Sequence, residues 1–251
     1  MRRKYFQMQT TQVSHEIKPF SLVQILLYHL LPGVPILISA VLFAHPTFGF
    51  GLPIYLSLML AIVIGLIPTE MGILYFSAKR QGKNIKEVIS FCEKLPIIKT
   101  ILWALPGIFF GLTVFIFLPK IEHPIWTIFN WVPEWFRIDR FEAGTMEKRL
   151  LTLTIIMNLV FNGIFGPIVE ELYFRGFLLP RMGRLGKSAP FVNAVLFSLY
   201  HFFTPWENIS RILAMIPYIY IVWYKKNIRI GIVVHCTMNI LGAISMLAML
   251  V

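Results

Sequence analysis

Apolar residues run along this chain in long, nearly unbroken blocks, without the period-2 alternation of a half-buried strand. A helix needs roughly 20 mostly apolar residues to cross a bilayer core. The pattern predicts such helices at Ser21–Ala44, Leu52–Phe76, Ile101–Leu118, Leu150–Leu179, Ala189–Phe203, Ile209–Tyr224 and Ile230–Val251. The expected fold is an all-α, polytopic transmembrane helical bundle of seven spans, or eight if the long fourth block is broken. Ala189–Phe203 and Ile209–Tyr224 run to about 15 and 16 residues, and such short or interrupted spans commonly mark where a membrane protein builds its site. Pro205 between them and Pro217 within the second predict local distortion.

The polar connections predict orientation. Basic residues number four in Met1–Pro19, six in Lys79–Lys99, three in Arg181–Lys187 and three in Lys225–Arg229, whereas His45–Gly51 and Thr204–Asn208 have none. Lys and Arg concentrate on the cytosolic side, so the N-terminus and the basic loops are expected there. Asn84 followed by Glu87 is the signature of a helix cap, and Ile85, Val88, Ile89 and Cys92 recur at helical spacing behind it, predicting a short surface helix on the bilayer. The 119–149 loop balances five basic against five acidic residues and falls outside by parity. Its Trp126, Phe129, Trp131, Trp135, Phe136 and Phe141 suit the headgroup level, as an anchor for the loop or a cap over a site.

Composition agrees: 57% of residues are hydrophobic, only 14% are charged, and the mean hydropathy is +0.72. A soluble domain carries about 25% charge. The expectation is an integral protein of a bacterial-type plasma membrane, with the lipid bilayer as its solvent. The net charge of +11 reflects loop topology and gives no reason to expect nucleic acid as a partner. Met1–Pro19 is polar and basic and leads into a full-length span, so the first span is expected to stay as an anchor. Cys92 and Cys236 have neither disulfide-scaffold nor metal-type spacing. With no repeat and no long polar linker, the chain reads as one integrated membrane domain, N-terminal helices over 1–149 and a chemical core over 150–251.

Within the fourth block stands Glu170-Glu171-Leu172-Tyr173-Phe174-Arg175. An ionised group at membrane depth costs roughly +2.5 to +3.5 kcal/mol on insertion scales, so such residues are seldom kept without a task. At about 100° per residue, Glu171 and Arg175 share a helix face with the acid first, the favourable order for an ion pair. Glu170 turns about 100° away and is left as the free carboxylate. A desolvated carboxylate has a raised pKa, and a base poised nearer neutrality takes a proton from water. The bland alternative is a hydrogen bond to a neighbouring helix.

His201 and His235 are the only histidines deep in the C-terminal spans; His29 lies in the first span, and His15, His45 and His123 lie in tails or loops. Phe197 and His201, and likewise His235 and Asn239, are four residues apart and share a helix face. Polar groups on three helices run peptide hydrolysis in one of two ways. Glu170 with His201 deprotonates a water while His235 and Asn239 stabilise the oxyanion. Otherwise Glu170, His201 and His235 ligate a zinc ion that activates its bound water. The H-E-x-x-H signature is absent, since His15-Glu16 lacks a second histidine.

At these residues the chain resembles the CPBP group, the CAAX prenyl protease and bacteriocin-processing enzymes also called Abi proteins. Its motifs E-E-x-x-x-R, F-x-x-x-H and H-x-x-x-N read here as Glu170-Glu171…Arg175, Phe197…His201 and His235…Asn239, with Gly176 after the arginine also fitting. The likeness covers roughly Leu150–Leu250. It implies Glu170 and His201 as water-activating residues, His235 and Asn239 as oxyanion stabilisers, and Glu171, Arg175 and Phe197 in support. Relatives are often labelled metalloproteases, although the best-understood look glutamate-dependent. The resemblance implies membrane-associated peptides or prenylated C-termini as substrates.

Other residues compete for attention. Glu70 in the second span either snorkels toward the basic loop or joins the site. Arg211 reads as an interfacial anchor. Cys236 beside His235 points about 100° away and forms no thiol–imidazole pair. Helix rise places His235 about 8 Å and His201 about 18 Å above the cytosolic starts of their helices, so the 189–203 helix is expected to begin below the membrane surface, before Arg184, or the following segment to be re-entrant. The rival classes are a non-catalytic bacteriocin immunity protein and a proton-coupled transporter.

Overall fold

A computed structural model describes residues 17–118, 125–138 and 146–245. The expectations that touch His15, Glu16, His123 and Phe141 lie outside them. The described residues are helical, with no strand beyond a single antiparallel bridge between Cys92 and Asn227. We number the long helices α1 (Leu22–Ala44), α2 (Ile54–Arg80), α3 (Ile97–Phe117), α4 (148–178), α5 (Ala189–Leu199), α6 (Asn208–Lys225) and α7 (Ile228–Ser245).

Among the described residues, five stretches are long and apolar enough to cross a membrane: α1, α2, α3, Lys148–Leu199 and α7. The chain is thus an integral membrane protein, helical in its described spans. The fourth stretch joins two of the expected spans through a tight 3-10 connection, Leu179–Ser188, broken at Met182 and at Gly186 with φ 53°. α6 falls outside the five because polar residues crowd both its ends.

Polarity is inverted relative to a soluble protein. Ile97, Phe109 and Trp131 stand outward, whereas Glu70, Glu170, Glu171, Arg175, Arg181 and Arg211 are buried. Apolar solvent permits the first, and protein partners must permit the second. α3 packs on α6 and α7, α5 on α6, and α7 on the first half of α4. Gly33, at the bend of α1, lies against the Tyr200 carbonyl where α5 ends, and a methyl group there would collide with it.

The helix starting at Ile85 is capped by Asn84 and Glu87 as the sequence indicates, but it ends at Val88. Its expected continuation to Cys92 is replaced because neighbours claim the backbone. Ser90 N donates to Gly176 O, Glu93 N to Lys226 O, and Phe91 O accepts from Ile228 N.

Candidate active site

Glu170 closes a single α-helical turn, Gly166–Glu170, set between two wider π-helical stretches, Asn158–Phe165 and Glu171–Leu178. Such widened turns frequently occur at functional sites. Glu171 and Arg175 pair at 3.3 Å, as their spacing predicts. The Arg175 Nη1 approaches off the hydrogen-bond direction, making this an ion pair and not a direct hydrogen bond. The connection is completed by Tyr218, whose hydroxyl accepts from Arg175 Nη2 at 2.9 Å and donates to Glu171 Oε1 at 3.1 Å. The guanidinium also lies over the Phe197 ring, 4.2 Å from its centroid. That contact packs Phe197 against the buried pair.

The two histidines approach Glu170 from other helices. His201 sits just beyond the end of α5, not on its face, and its Nδ1 donates to the Phe197 carbonyl at 2.9 Å. That carbonyl belongs to the last turn of the helix, where acceptors lack a backbone partner. His235 Nδ1 lies 3.1 Å from Glu171 Oε1. A carbonyl and a carboxylate only accept, so both rings carry hydrogen on Nδ1 and turn Nε2 toward Glu170. The separations are 3.9 Å from His201 Nε2 to Oε1 and 3.7 Å from His235 Nε2 to Oε2. Both exceed a direct hydrogen bond and suit a bridging water.

Three further residues that build this arrangement were not singled out in the sequence. Tyr200 donates its hydroxyl to Glu170 Oε1, and Tyr218 joins Glu171 to Arg175. Gly231 presses against Glu171 Oε2, where any Cβ would collide with the carboxylate. Its missing side chain lets α7 approach closely enough for His235, one turn further on, to reach Glu171. The two tyrosines have only a weak signal, a polar tip at membrane depth.

The site opens on a cavity of about 710 Å³ whose lining includes Glu170, His201, His235, Asn239 and Arg211. Asn239 lies on this wall and gives one Nδ2 hydrogen to the Asn162 carbonyl at 2.8 Å. Its second amide hydrogen remains for another acceptor. Arg211 corrects its expected role as an interfacial anchor. It is buried and held by Glu207 at 2.6 Å and Thr204 at 2.8 Å. The aromatic 125–138 segment packs at this end, Phe129 against Trp206 at 6.1 Å, with Ile138 on the cavity wall. Glu70 is wholly buried with neither oxygen hydrogen-bonded, so it does not snorkel. Cys236 Sγ faces the Ile164 carbonyl, away from any imidazole pairing.

Two imidazole nitrogens and a carboxylate are donors of the kind zinc takes, and the anchored Nδ1 atoms match the outer-shell bonding of metal-bound histidines. Their spacing does not fit as arranged. Bonds of about 2.0–2.2 Å in a tetrahedral site bring donors to roughly 3.3–3.5 Å from one another, less than the 3.7 and 3.9 Å found. Among the described residues no group of three His, Cys, Asp or Glu side chains is placed to hold a metal ion.

Residues 152–241, which carry this whole constellation, match the family model described as type II CAAX prenyl endopeptidase Rce1-like. This segment is thus similar to the CAAX-protease family, whose model it matches over about a third of the chain. The chain is also similar to the uncharacterized protein YyaK of Bacillus subtilis (strain 168), 39% identical over 104 residues. That alignment covers 39% of this chain and 33% of the relative, so the chain spans about a third of the relative's length in the match. No solved structure matches.

Proposed function

We propose that the chain is an intramembrane endopeptidase that hydrolyses peptide bonds of membrane-associated peptides or prenylated C-termini with a water activated by Glu170. The carrying observation is the convergence of Glu170 with the Nε2 atoms of His201 and His235 on one cavity wall. Water held among these acceptors loses a proton to Glu170, assisted by His201, as its oxygen attacks the peptide carbonyl. Asn239 supplies its second amide hydrogen to the oxyanion. Glu170 hands the proton taken from water to Nε2 of His235, which is tied through Nδ1 and, once protonated, donates a hydrogen bond to the oxyanion and then gives the proton to the departing amine. The peptide carbon–nitrogen bond breaks, water contributes hydroxyl to the acid fragment, and a proton goes to the amine. Glu171, Arg175, Tyr218 and Phe197 hold the reacting groups in place. No step here runs through a metal.

The family match supports the reaction class, and the inward charges with the outward apolar surface support a substrate that reaches the site from within the bilayer. In this reading 150–251 carries the chemistry within one membrane domain whose N-terminus is cytosolic. α5 and α6 enter the membrane as paired short helices, raising the span count to seven or eight. Labelling of single cysteines placed in the 81–84 and 204–207 connections, from each side of sealed vesicles, tests that topology.

The test of function uses purified full-length protein in vesicles with a quenched prenylated peptide. Glu170→Ala and His235→Ala are each expected to lower turnover by about 10²–10⁴-fold while insertion and folding persist. Unchanged turnover in both inserted variants overturns the proposal.

A further inference from the structure

Away from the catalytic cavity, a second cavity of about 420 Å³ is lined by Lys18, Gln81, Lys83, Glu87, Ser90 and Arg181. Arg181 is more than nine-tenths buried, and its guanidinium lies 4.0 Å from the centroid of the Phe177 ring. Its Nη1 donates to the Phe177 carbonyl at 2.7 Å. No carboxylate among the described residues pairs with it, nor with Lys18 or Lys83. The one acid on the wall, Glu87, accepts from the Asn84 backbone N–H at 2.8 Å in the helix cap. A buried guanidinium without a counter-charge is unfavourable, and here it shares its cavity with two ammonium groups.

The cavity lies where helices leave the apolar layer. Ser21 caps the start of α1, Gln81 follows the end of α2, and Arg181 lies just past α4, with the Phe20 N–H donating to its carbonyl at 2.9 Å. Basic pockets between membrane helices at that level bind phosphate-bearing head groups. We infer that Lys18, Lys83 and Arg181 form a binding site for a phosphate group, supplied by the head group of an anionic lipid. Arg181 offers the planar donors that match phosphate oxygens, and the lysines supply mobile charge. Gln81 and Ser90 add neutral polar contacts. Ser90 also ties this wall to α4, since its N–H donates to the carbonyl of Gly176 at 2.8 Å.

Thermal melting of the purified full chain in detergent tests the site, with phosphatidylglycerol, phosphatidylcholine or inorganic phosphate added. Phosphatidylglycerol is expected to raise the melting temperature where phosphatidylcholine does not. In Lys18→Gln/Lys83→Gln, a change that leaves Arg181 and the core intact, the half-effect concentration should rise about fivefold per lysine removed. Protection by inorganic phosphate alone, weakened in the same variant, keeps the phosphate site and transfers it to a free anion. No protection by either phosphate source overturns the inference. So does equal protection of the variant and the wild type.

Discussion

Glu171 holds His235 by its Nδ1 at 3.1 Å, through the same oxygen that receives the Tyr218 hydroxyl and faces Arg175. The second carboxylate of the pair therefore does more than neutralise an arginine. It fixes which nitrogen of His235 faces Glu170.

That relationship predicts a positioning effect. Glu171→Gln keeps an acceptor near Nδ1 but removes the charge that secures the ring, and misplacement of a reacting group by about 1 Å lowers rate by roughly 10²-fold. Turnover should fall by that order with KM little changed. A matching rise in KM with constant kcat would assign Glu171 to substrate binding instead.

Tyr200 makes a prediction at the other oxygen. In Tyr200→Phe, Glu170 loses its hydroxyl donor without losing the packed ring, so kcat should drop about tenfold. The fold should persist, as followed by thermal melting and protease resistance. Wild-type kcat in a folded variant would show that this bond does not hold the base.

Stability should separate the members of the buried pair. Arg175→Met strands Glu171 as a buried charge and should destabilise by about 3–5 kcal/mol. Tyr218→Phe removes one bridging hydroxyl and should cost about 1–2 kcal/mol. Reversible unfolding in mixed micelles gives the ranking, and equal losses would contradict the central place of the ion pair.

Gly231→Ala drives a methyl group into Glu171. Either the carboxylate or the helix must shift, at about 1–3 kcal/mol, which disturbs the Glu171 contact that holds His235. Activity should fall at least tenfold in protein that still inserts; near-normal kinetics would mean the helices close without this contact.

Chelation tests the donor spacing. Activity of the reconstituted protein should survive removal of divalent metals, and elemental analysis should find less than one zinc per chain. A stoichiometric zinc whose removal abolishes turnover would replace the proposed water activation with metal chemistry.

Particular residues show how much of this was legible in the sequence. Apolar blocks betray the helices because bilayer thickness imposes length, and Glu171–Arg175 was visible because a spacing of four survives even in a widened turn. The same rule, acid first, was available for Glu207 and Arg211, yet placement near a span end favoured an anchor over the buried pair found. The π-helical stretches leave no trace in hydropathy, since widening a turn changes no residue's polarity. Tyr200 and Gly231 were hidden for another reason: their roles depend on how closely helices approach, and a single chain's pattern contains no inter-helix distances.

Asn162–Asn239 and Glu171–His235 connect α4 and α7 at two levels, in opposite chain directions. Together they act as a register gauge. A slip of one helical turn, about 5.4 Å, would break both at once. Under the proposed hydrolysis, a molecule docked one turn out of register lacks an oriented His235 and is expected to be inactive, so correct docking of α4 on α7 and competence of the site come together.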